Sequence, residues 1–386
     1  EAFGANGSDG VNSKYNPLTI QDAIDYDGWN TGAGEVFNTK EYRSGGGGGA
    51  TYTTVLASSV TANGYDIIQC VGVPSLAFVL KISESIKLLE MGLIADSTGA
   101  GTGTDNSGLY TRAFELQQLL NLPIDQAPGR RRISQPVTYT VSNADDVTSS
   151  GLVMYGAGMG KTIIQNDVVG TMLLIEGVVS GVFAKGGTLK GFTIVGKGVS
   201  GIPDQTAIRH QATWFNKYEN VRIIKNNGTA IQSGDNSSLD PDTTASLGFS
   251  FDTCEFDDNV VGFDNTQNNN SPLVLFINSS VRNNSRGGIR SNSSYIQIKG
   301  GSVSFNGLTD PENSTGGVDI AQQDGSSLSD GYRTKGFVAD TTELDTNYPW
   351  NVRTLQAENP EIRNCSTQFR DYPGIDWAGN GITELP

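Results

Sequence analysis

Two acidic residues on one predicted strand have the spacing of a hydrolytic site. Glu255 and Asp257 flank Phe256, so an extended chain directs both carboxylates to one face, with Cβ atoms roughly 6–7 Å apart. Glycosidic hydrolysis uses two carboxylates about 5–9.5 Å apart, one protonated as the acid and one ionised. We therefore predict that Glu255 and Asp257 are catalytic, and we add Asp264, which follows the next turn.

The stretch that contains these acids, residues 191–318, repeats a short structural unit without repeating its letters. Four apolar residues are each followed three positions later by asparagine: Ile224 and Asn227, Phe256 and Asn259, Val281 and Asn284, Val303 and Asn306. Successive apolar residues lie 32, 25 and 22 positions apart. Strand-like pieces at a period of about 20–35 residues indicate a solenoid. We predict a parallel β-helix in which like residues stack in columns about 4.8 Å apart.

Aligning the four units on their apolar residues places the outward side chains in columns. The first column holds Lys225, Asp257, Arg282 and Ser304, the second holds Ile223, Glu255, Ser280 and Ser302, and the third holds Gln232, Asp264, Arg290 and Asp319. The cations of the first column should keep Asp257 ionised. Apolar Ile223 and negative Asp257 should favour the protonated form of Glu255. The two carboxylates would then be an acid and base pair.

The same residues also fit roles other than hydrolysis. A column of lysine, aspartate and arginine is typical of a charge ladder on a solenoid surface. A lyase would instead need a base, together with cations or Ca²⁺ to neutralise a carboxylated sugar. The residues that we predict to bind substrate are Asp252, His210, Lys225, Arg282, Arg290 and Trp214. His210 is the sole histidine, and a lone histidine is more often structural or exposed than catalytic.

Composition limits the partners of this chain. The 386 residues include 49 glycines and carry a net charge of −15. That charge argues against nucleic acid and anionic membranes, although it is also a common solubility device. The sequence contains no run of about 18 apolar residues, so we expect no transmembrane helix. The three cysteines lie far apart and predict neither a disulfide framework nor a metal site. We predict no cofactor, with Ca²⁺ needed only by a lyase.

The order of the predicted elements divides the chain into four segments. These are an arm or linker over 1–17, a small β domain with its connector over 18–92, the β-helix over 93–325, and a terminal cap or subunit contact over 326–386. An amphipathic helix is predicted from Tyr110 to Leu120, and a short helix or an irregular connector over 83–92. The five glycines at 45–49 favour either a flexible hinge or a backbone that another chain approaches closely. Since the chain starts at Glu1 without methionine, we expect a piece of a longer chain or a processed product.

Several pieces follow one another in an order that carries a resemblance. They are Leu93-Ile94-Ala95-Asp96, Thr104-Asp105-Asn106-Ser107, the helix through Phe114 and Leu119, Leu122-Pro123, Gly129-Arg130, Ile133, Leu152 to Gly158, and Thr162-Ile163-Ile164. This order resembles the first segment of pectate-lyase-like right-handed β-helices, especially phage tailspike proteins. The segment from Glu41 to Tyr52 is similar to the small β domain that often precedes a tailspike β-helix. The family's Asp-Asp-Thr is here Asp105-Asn106-Ser107.

The resemblance implies an all-β chain with a right-handed parallel β-helix, a short capping helix and a small N-terminal β domain. It implies an extracellular homotrimer on a virion tail, beside other tail proteins. Such a protein binds and depolymerises a bacterial surface polysaccharide, capsule or O-antigen, during host adsorption. We favour an endo-acting hydrolase over a lyase because acidic residues dominate the best patch. The alternatives are a non-catalytic receptor-binding or structural virion spike, and a free bacterial pectate-lyase-like polysaccharide lyase.

Overall fold

The structure is a computed structural model in which the chain divides into two compact units. One unit comprises 1–95 with 108–127, and the other comprises 96–107 with 128–386. The structure describes residues 17–141, 151–177, 184–198, 204–234, 246–267, 273–291, 295–320, 337–347, 351–354, 361–368 and 375–376. Apart from Pro17, the predicted arm lies outside the described residues, as does most of 326–386. The domain bounds predicted from the sequence stay predictions.

The first unit contains a small antiparallel sheet, which confirms the predicted N-terminal β domain. The strands of this unit are β1 (Val36–Asn38), β2 (Glu41–Arg43), β3 (Gly47–Gly48), β4 (Thr51–Leu56), β5 (Ile67–Gln69), β6 (Leu76–Leu80), β7 (Ile86–Lys87) and β8 (Ile124–Asp125). Strands β2 and β3 form a separate antiparallel pair, and β7 and β8 pair in parallel. Strands β1, β4, β6 and β5 pair in that order. Helix α1 (Ile20–Asp25) begins after Thr19, whose hydroxyl accepts a hydrogen bond from the Asp22 amide at 3.2 Å. That bond satisfies one of the free N–H groups at the helix start.

Aromatic packing and close backbone contacts hold this small sheet together. The ring centroids of Trp29, Phe37 and Phe78 lie 4.6–5.4 Å apart, and all three side chains are buried. A Cβ added at Gly48 would lie 2.2 Å from the Leu89 carbonyl oxygen. A Cβ at Gly49 would likewise lie 2.4 Å from a backbone oxygen. The glycine run is therefore a closely approached backbone, and the neighbouring segments belong to the same chain.

The two helical predictions near the middle of the chain have different outcomes. Helix α2 (Ser107–Leu120) confirms the predicted amphipathic helix, and it buries Phe114. No helix forms over 83–92, because β7 in that segment pairs with β8 and extends the backbone. The irregular connector is thus the correct alternative. The capping role of α2 stays a prediction. None of the described helices is long and apolar enough to cross a membrane.

The second unit winds into the predicted right-handed parallel β-helix. Its strands are β9 (Gly129–Ile133), β10 (Val137–Thr140), β11 (Val153–Tyr155), β12 (Thr162–Asn166), β13 (Thr171–Glu176), β14 (Ala184–Lys185), β15 (Thr188–Val195), β16 (Thr206–Gln211), β17 (Thr213–Ile224), β18 (Thr229–Gly234), β19 (Leu247–Asp252), β20 (Glu255–Asp257), β21 (Val261–Gln267), β22 (Val274–Ile277), β23 (Ser280–Arg282), β24 (Gly287–Ser291), β25 (Ile296–Lys299), β26 (Ser302–Ser304), β27 (Gly316–Ile320), β28 (Phe337–Asp340), β29 (Glu343–Asp345), β30 (Val352–Thr354), β31 (Glu361–Arg363), β32 (Ser366–Gln368) and β33 (Ile375–Asp376). Within the described residues these strands make nine coils.

Each full coil contributes to three faces, which we call A, B and C. Face A comprises β11, β14, β19, β22, β25, β28 and β31 with the first halves of β15 and β17. Face B comprises β9, β12, β20, β23, β26, β29 and β32 with the second halves of β15 and β17. Face C comprises β10, β13, β16, β18, β21, β24, β27, β30 and β33. The long strands β15 and β17 each contribute to both face A and face B, and they bend between the two faces at Gly191 and Asn220.

Columns of buried apolar side chains fill the space between the faces. The face B column is Ile194, Ile223, Phe256, Val281, Val303 and Leu344. The face A column is Leu189, Tyr218, Phe251, Phe276, Ile298 and Ala339. Burying one side chain of the leucine or phenylalanine size contributes about 1.5–3 kcal/mol. The columns thus stabilise the stack, and they fix which residues of each strand point outward.

A ladder of buried asparagines fixes the turn between faces B and C. It comprises Asn226, Asn259, Asn284, Asn306, Asn347 and Asn351. At each step the backbone N–H of one asparagine donates to Oδ1 of the next at 3.0–3.1 Å. Asn259, Asn284 and Asn306 stack as predicted, but the prediction of Asn227 is wrong because Asn226 takes that position. The cause is the pairing of Ile223, rather than Ile224, with Phe256.

The bends at both ends of face B use left-handed backbone conformations. The bend before face B has positive φ at Asn220, Thr253, Asn278, Thr341 and Asn364, and the bend after it has positive φ at Lys225, Asp258, Asn283, Phe305 and Thr346. Asparagine and aspartate tolerate this conformation well, whereas long or bulky side chains rarely adopt it. Lys225 and Phe305 are therefore unusual residues at these bends.

Candidate functional site

Face B presents its outward side chains in two columns. One column holds Thr193, Arg222, Glu255, Ser280, Ser302, Glu343 and Ser366, and the other holds Val195, Ile224, Asp257, Arg282, Ser304 and Asp345. This register corrects the predicted columns in the coil that precedes β20. Glu255 lies beside Arg222 rather than Ile223, and Asp257 lies beside Ile224 rather than Lys225.

The predicted catalytic pair, Glu255 and Asp257, is held by cations on both sides. Arg222 Nε lies 2.9 Å from a Glu255 carboxylate oxygen, and Arg282 Nη2 lies 3.6 Å from Asp257 Oδ2. Asn283 Nδ2 donates a further hydrogen bond to Asp257 Oδ1 at 2.8 Å. The apolar surroundings predicted for Glu255 are thus wrong. The two carboxylates have similar, charge-paired environments, and their catalytic roles stay predictions.

Strand β29 repeats this acidic pattern in the same two columns. Glu343 and Asp345, which we call the upper pair, occupy the same two columns as Glu255 and Asp257, which we call the lower pair. In these columns the coil beneath the upper pair presents only Ser302 and Ser304. The two serine hydroxyls lie 2.8 Å apart. Asp345 accepts a hydrogen bond from the Thr346 hydroxyl at 2.6 Å. Within the described part of the chain, neither carboxylate of β29 lies within ion-pairing distance of a cation.

The upper acids, Glu343 and Asp345, also differ from each other in exposure. Glu343 is exposed, whereas Asp345 is only 7% exposed. Two carboxylates in unlike surroundings are the general arrangement that divides acid from base roles. The upper pair lies three coils above Glu255 and Asp257, which is about 14 Å at the spacing of stacked strands. Face B therefore carries two acidic pairs separated by coils with small or basic side chains.

Phe305 stands at the edge of face B beside the upper pair. Its side chain is 43% exposed, its φ is +57°, and it directly follows Ser304. Its backbone N–H donates to the Asp345 carbonyl at 3.1 Å. An exposed aromatic ring offers a flat apolar surface for the C–H face of a sugar. Phe305 is not among the binding residues predicted from the sequence, although a phenylalanine at the bend position of Asp258 and Asn283 is a usable signal.

The other predicted binding residues are divided between faces. Asp252 ends β19 on face A, and the Thr253 hydroxyl donates to its carboxylate at 3.0 Å. Trp214 also lies on face A, where Lys185 Nζ is 5.0 Å from the centroid of its ring. Lys225 is exposed at the bend after face B and lies outside the column predicted for it. Their roles in binding substrate stay predictions.

Asp264 and Arg290 lie on face C, in a column that the sequence predicted correctly. That column is Gln232, Asp264, Arg290 and Asp319, and it continues to Arg353. Arg290 Nη1 lies 3.4 Å from Asp264 Oδ2, and Arg353 makes two bonds of 2.8 and 2.6 Å to Asp319. Burial raises the pKa of Asp319, and the Arg353 guanidinium opposes that rise. Asp264 therefore projects from a different sheet than the other two predicted acids.

His210 lies inside the β-helix, which corrects the prediction that it binds substrate. The side chain is fully buried, with Nδ1 3.1 Å from the Thr213 hydroxyl and Nε2 bonded to the Tyr218 hydroxyl. Desolvation lowers the pKa of the imidazole to about 3. Because Ile208 points inward on β16, strand alternation also turns His210 inward. A neutral, enclosed imidazole cannot contact a polymer outside the coil.

The described residues contain no cluster of side chains suited to a metal ion. Among them, no group of three histidine, cysteine, aspartate or glutamate side chains is placed to hold a metal ion. The acidic pairs of face B each supply only two carboxylates. Two carboxylates at this spacing can transfer protons between water and a bound ligand.

Comparison with known proteins places the fold. No family model and no curated protein matches the sequence. The glycan biofilm-modifying enzyme WceF of Pantoea stewartii, described as having a bacteriophage tailspike-like parallel β-helix fold, matches with a TM-score of 0.61 and 12% identity, over 98% of this chain and 51% of WceF. The fold is that of a tailspike-like parallel β-helix.

Two phage proteins support the same likeness. The tailspike of Acinetobacter phage vB_ApiP_P1 matches with a TM-score of 0.50 and 11% identity, over 90% of this chain and 62% of that protein. The tailspike of Acinetobacter baumannii phage AM24 matches with a TM-score of 0.50 and 10% identity, over 90% of this chain and 65% of that protein. The chain thus spans about half to two thirds of the length of these three proteins, and at such identities the likeness concerns the fold alone.

Proposed function

We propose that this chain is a tailspike that binds and depolymerises a bacterial surface polysaccharide, capsule or O-antigen, during host adsorption. The observation that carries the proposal is the carboxylate pair of Glu343 and Asp345 on the outer surface of a tailspike-like β-helix. Within the described residues this pair has no cation partner, and an exposed Phe305 stands beside it. The description of WceF as glycan-modifying supports a glycan as the target.

The chemistry that we propose at Glu343 and Asp345 is endo-acting hydrolysis. On one strand their Cβ atoms are roughly 6–7 Å apart, which suits two carboxyl groups about 5–9.5 Å apart. One carboxyl group of the pair gives its proton to the glycosidic oxygen as the bond to the anomeric carbon breaks. The other carboxylate accepts a proton from the attacking water, whose oxygen becomes part of the new reducing end. Phe305 orients the sugar ring by stacking.

Glu255 and Asp257 are the competing catalytic pair. Unlike the upper pair, both of these carboxylates lie within ion-pairing distance of an arginine. The same ion pairs suit a second role, in which this lower pair binds sugar hydroxyls about 14 Å along the face from the upper pair. We propose that second role for Glu255 and Asp257.

A non-catalytic receptor-binding spike is the second candidate function. The observation that favours it is the pairing of both lower acids with arginines, which is typical of a charge ladder on a binding surface. We place β-elimination behind hydrolysis. A lyase needs cations beside its base, and within the described residues none lies in ion-pairing distance of Glu343 or Asp345.

Matched substitutions in the two acidic pairs test the catalytic proposal. Glu343→Gln and Asp345→Asn should each lower the rate of reducing-end formation on a host polysaccharide by about 10²–10⁴, the usual contribution of one acid or base group. The controls Glu255→Gln and Asp257→Asn make the same changes in the same two columns. They should keep the catalytic rate within about fivefold while weakening affinity, since exposed ion pairs contribute little.

Loss of activity in Glu255→Gln and Asp257→Asn, with normal activity in Glu343→Gln and Asp345→Asn, would assign catalysis to the lower pair. Full activity in all four variants, with unchanged circular dichroism, would move the site off face B. An unsaturated product that absorbs in the ultraviolet would show a lyase. If the wild type binds polysaccharide from a panel of host strains but produces no new ends, the binding-only spike is the better account.

The assembly and location of the protein belong to the same proposal. We propose a homotrimer on a virion tail, exposed to the host surface and attached to other tail proteins. The net charge of −15 supports a partner other than nucleic acid. The ends of a β-helix expose unpaired strand edges, so association with further chain segments or subunits would cover them.

A further inference from the structure

Charge is distributed unevenly along the β-helix. Residues 184–234 contain seven basic and two acidic residues, a net charge of +5 in a chain whose total is −15. The basic residues are Lys185, Lys190, Lys197, Arg209, Lys217, Arg222 and Lys225, and the acidic residues are Asp204 and Glu219. A local charge opposite to that of the whole protein concentrates ligands of the opposite sign at that place.

Three of these lysines share the outer surface of face A with two aromatic residues. We call Lys185, Lys190, Trp214, Phe215 and Lys217 the basic platform. The ammonium group of Lys185 lies over the Trp214 ring, 5.0 Å from its centroid. This contact combines a positive charge with an aromatic surface in one place.

Two lysines of the platform, Lys190 and Lys217, share one carboxylate. Lys190 Nζ lies 2.8 Å from Glu219 Oε2, and Lys217 pairs with the other oxygen of the same carboxylate. These two bonds lower the pKa of Glu219, with the bond from Lys190 contributing most. One carboxylate therefore serves two lysines whose side chains are each 50% exposed. Within the described residues, Lys190 and Lys217 therefore share their partner and keep half of their side chains open to a ligand.

Phe215 provides an open ring in the middle of this surface. It is 68% exposed and has φ +57°, so its backbone turns the side chain out of the strand alternation. Gly186 and Gly248 occupy the same position in the coils on either side. A Cβ at Gly248 would lie 3.0 Å from Phe215 Cδ1, so one edge of the ring rests on that glycine. Because both neighbours lack side chains, the ring is accessible to a ligand that lies along the coils.

We propose that the basic platform binds an anionic polysaccharide, one whose sugars carry carboxylates. The ring of Phe215 stacks on the apolar face of a sugar, and Lys185, Lys190 and Lys217 pair with its carboxylates. A neutral polymer would gain from the ring but not from the lysines. The inference rests on the proposed function and names its substrate class. It also separates a binding surface on face A from the acidic pairs on face B.

The test measures binding of purified surface polysaccharides from a panel of host strains. Each carboxylated polymer is used as isolated and after chemical reduction of its carboxyl groups, and neutral polymers serve as a second reference. Carboxylated polymers should bind, and reduction should weaken binding at low salt. The difference should shrink at about 0.15 M salt, because exposed charges are screened.

Two variants and two matched controls assign the binding to the platform. Phe215→Ala should weaken affinity about tenfold, which is the usual size of a central aromatic contact. The double change Lys190→Gln with Lys217→Gln should weaken it about three- to tenfold at low salt, and Glu219 would then repel the polymer. Lys299→Gln changes an exposed lysine that lies in the same column of face A as Lys190. Val169→Ala shortens a side chain that is 70% exposed. Both controls should bind like the wild type.

The outcomes separate failure of this inference from failure of the proposed function. Cleavage of a neutral polymer, with Phe215→Ala and the double lysine variant unaffected, would overturn the inference and leave the function standing. Equal binding before and after carboxyl reduction would also overturn it. An absence of binding and cleavage across the whole panel would overturn both.

Discussion

The single histidine makes stability against pH a sensitive test of the β-helix interior. His210 is buried and neutral in the fold, and its pKa falls to about 3 from an ordinary value of 6.5. Below pH 6.5 the unfolded chain therefore takes up a proton that the folded chain refuses. The contribution of this group to stability is fully present above pH 6.5 and is lost as pH falls towards about 3.

The size of the effect follows from the same shift. One pKa unit corresponds to about 1.4 kcal/mol, so protonation of this group in the unfolded chain should lower the free energy of unfolding by about 2 kcal/mol between pH 6.5 and 4.5. The matched variant is His210→Phe with Tyr218→Phe, which replaces the hydrogen-bonded pair by two apolar rings. Leaving Tyr218 in place would bury an unpaired hydroxyl, at about 1–3 kcal/mol. The double variant should lack the histidine contribution and keep the response of the carboxylates.

Guanidinium unfolding of both proteins at several pH values between 4.5 and 7.5 measures the difference. The two free energies should run parallel above pH 6.5 and then diverge at about 1.4 kcal/mol per pH unit below it. Carbon-13 labelling of the histidine should show a neutral ring at pH 5 in the folded protein. Parallel curves over the whole range, or a ring that titrates near pH 6.5, would refute an enclosed imidazole.

Two further predictions concern the ladder and the assembly. Asn284→Ala removes the acceptor of the Asn259 backbone N–H and the side-chain donor of the Phe256 carbonyl, while Asn306 Oδ1 keeps only the Asn284 backbone N–H, so the free energy of unfolding should fall by about 2–5 kcal/mol. Asn283→Gly, on the exposed side of the same turn, should lower the free energy of unfolding by less than about 1 kcal/mol. Equal losses for the two variants in denaturant unfolding would contradict the role of the ladder. Multi-angle light scattering should give three times the chain mass of 40.9 kDa at micromolar concentration, and a stable monomer would count against the trimer.

The sequence predicted the β-helix because its columns depend on strong local signals. An inward apolar residue and an asparagine three positions later recur through Phe256, Val281 and Val303, and their pairing is the one predicted. The error in the preceding coil arises from two doublets. Ile223-Ile224 and Asn226-Asn227 permit either register, and a shift by one residue exchanges inward and outward side chains. The surroundings of the lower acids were wrong for that reason alone.

The upper acidic pair escaped prediction although its local signal was present. Leu344 is followed three positions later by Asn347, and Glu343 and Asp345 flank Leu344 as in the lower pair. The distance from Val303 to Leu344 is 41 positions, well beyond the spacings of 22–32 in the earlier coils, so the period was lost. Loop length between coils is weakly constrained, since each doubling of a loop costs only about 0.6 kcal/mol.

Exposure and ion pairing could not be read from the sequence at all. Phe305 is accessible because of the bend at which it lies, and His210 is enclosed because three faces close around it. Which arginine of the sheet faces reaches which acid depends on the coil above or below, 25 to 34 residues away in the chain. Such contacts follow only once the register of neighbouring coils is known.

The most direct test of the whole account is the formation of new reducing ends. The wild-type protein is incubated with capsule or lipopolysaccharide purified from each strain of a host panel, and reducing ends and product size are followed together. The account predicts a rise in reducing ends with a rapid fall in polymer length for at least one carboxylated polysaccharide, and loss of that activity in Glu343→Gln. No rise on any polysaccharide, or an undiminished rise in Glu343→Gln and Asp345→Asn, would contradict it.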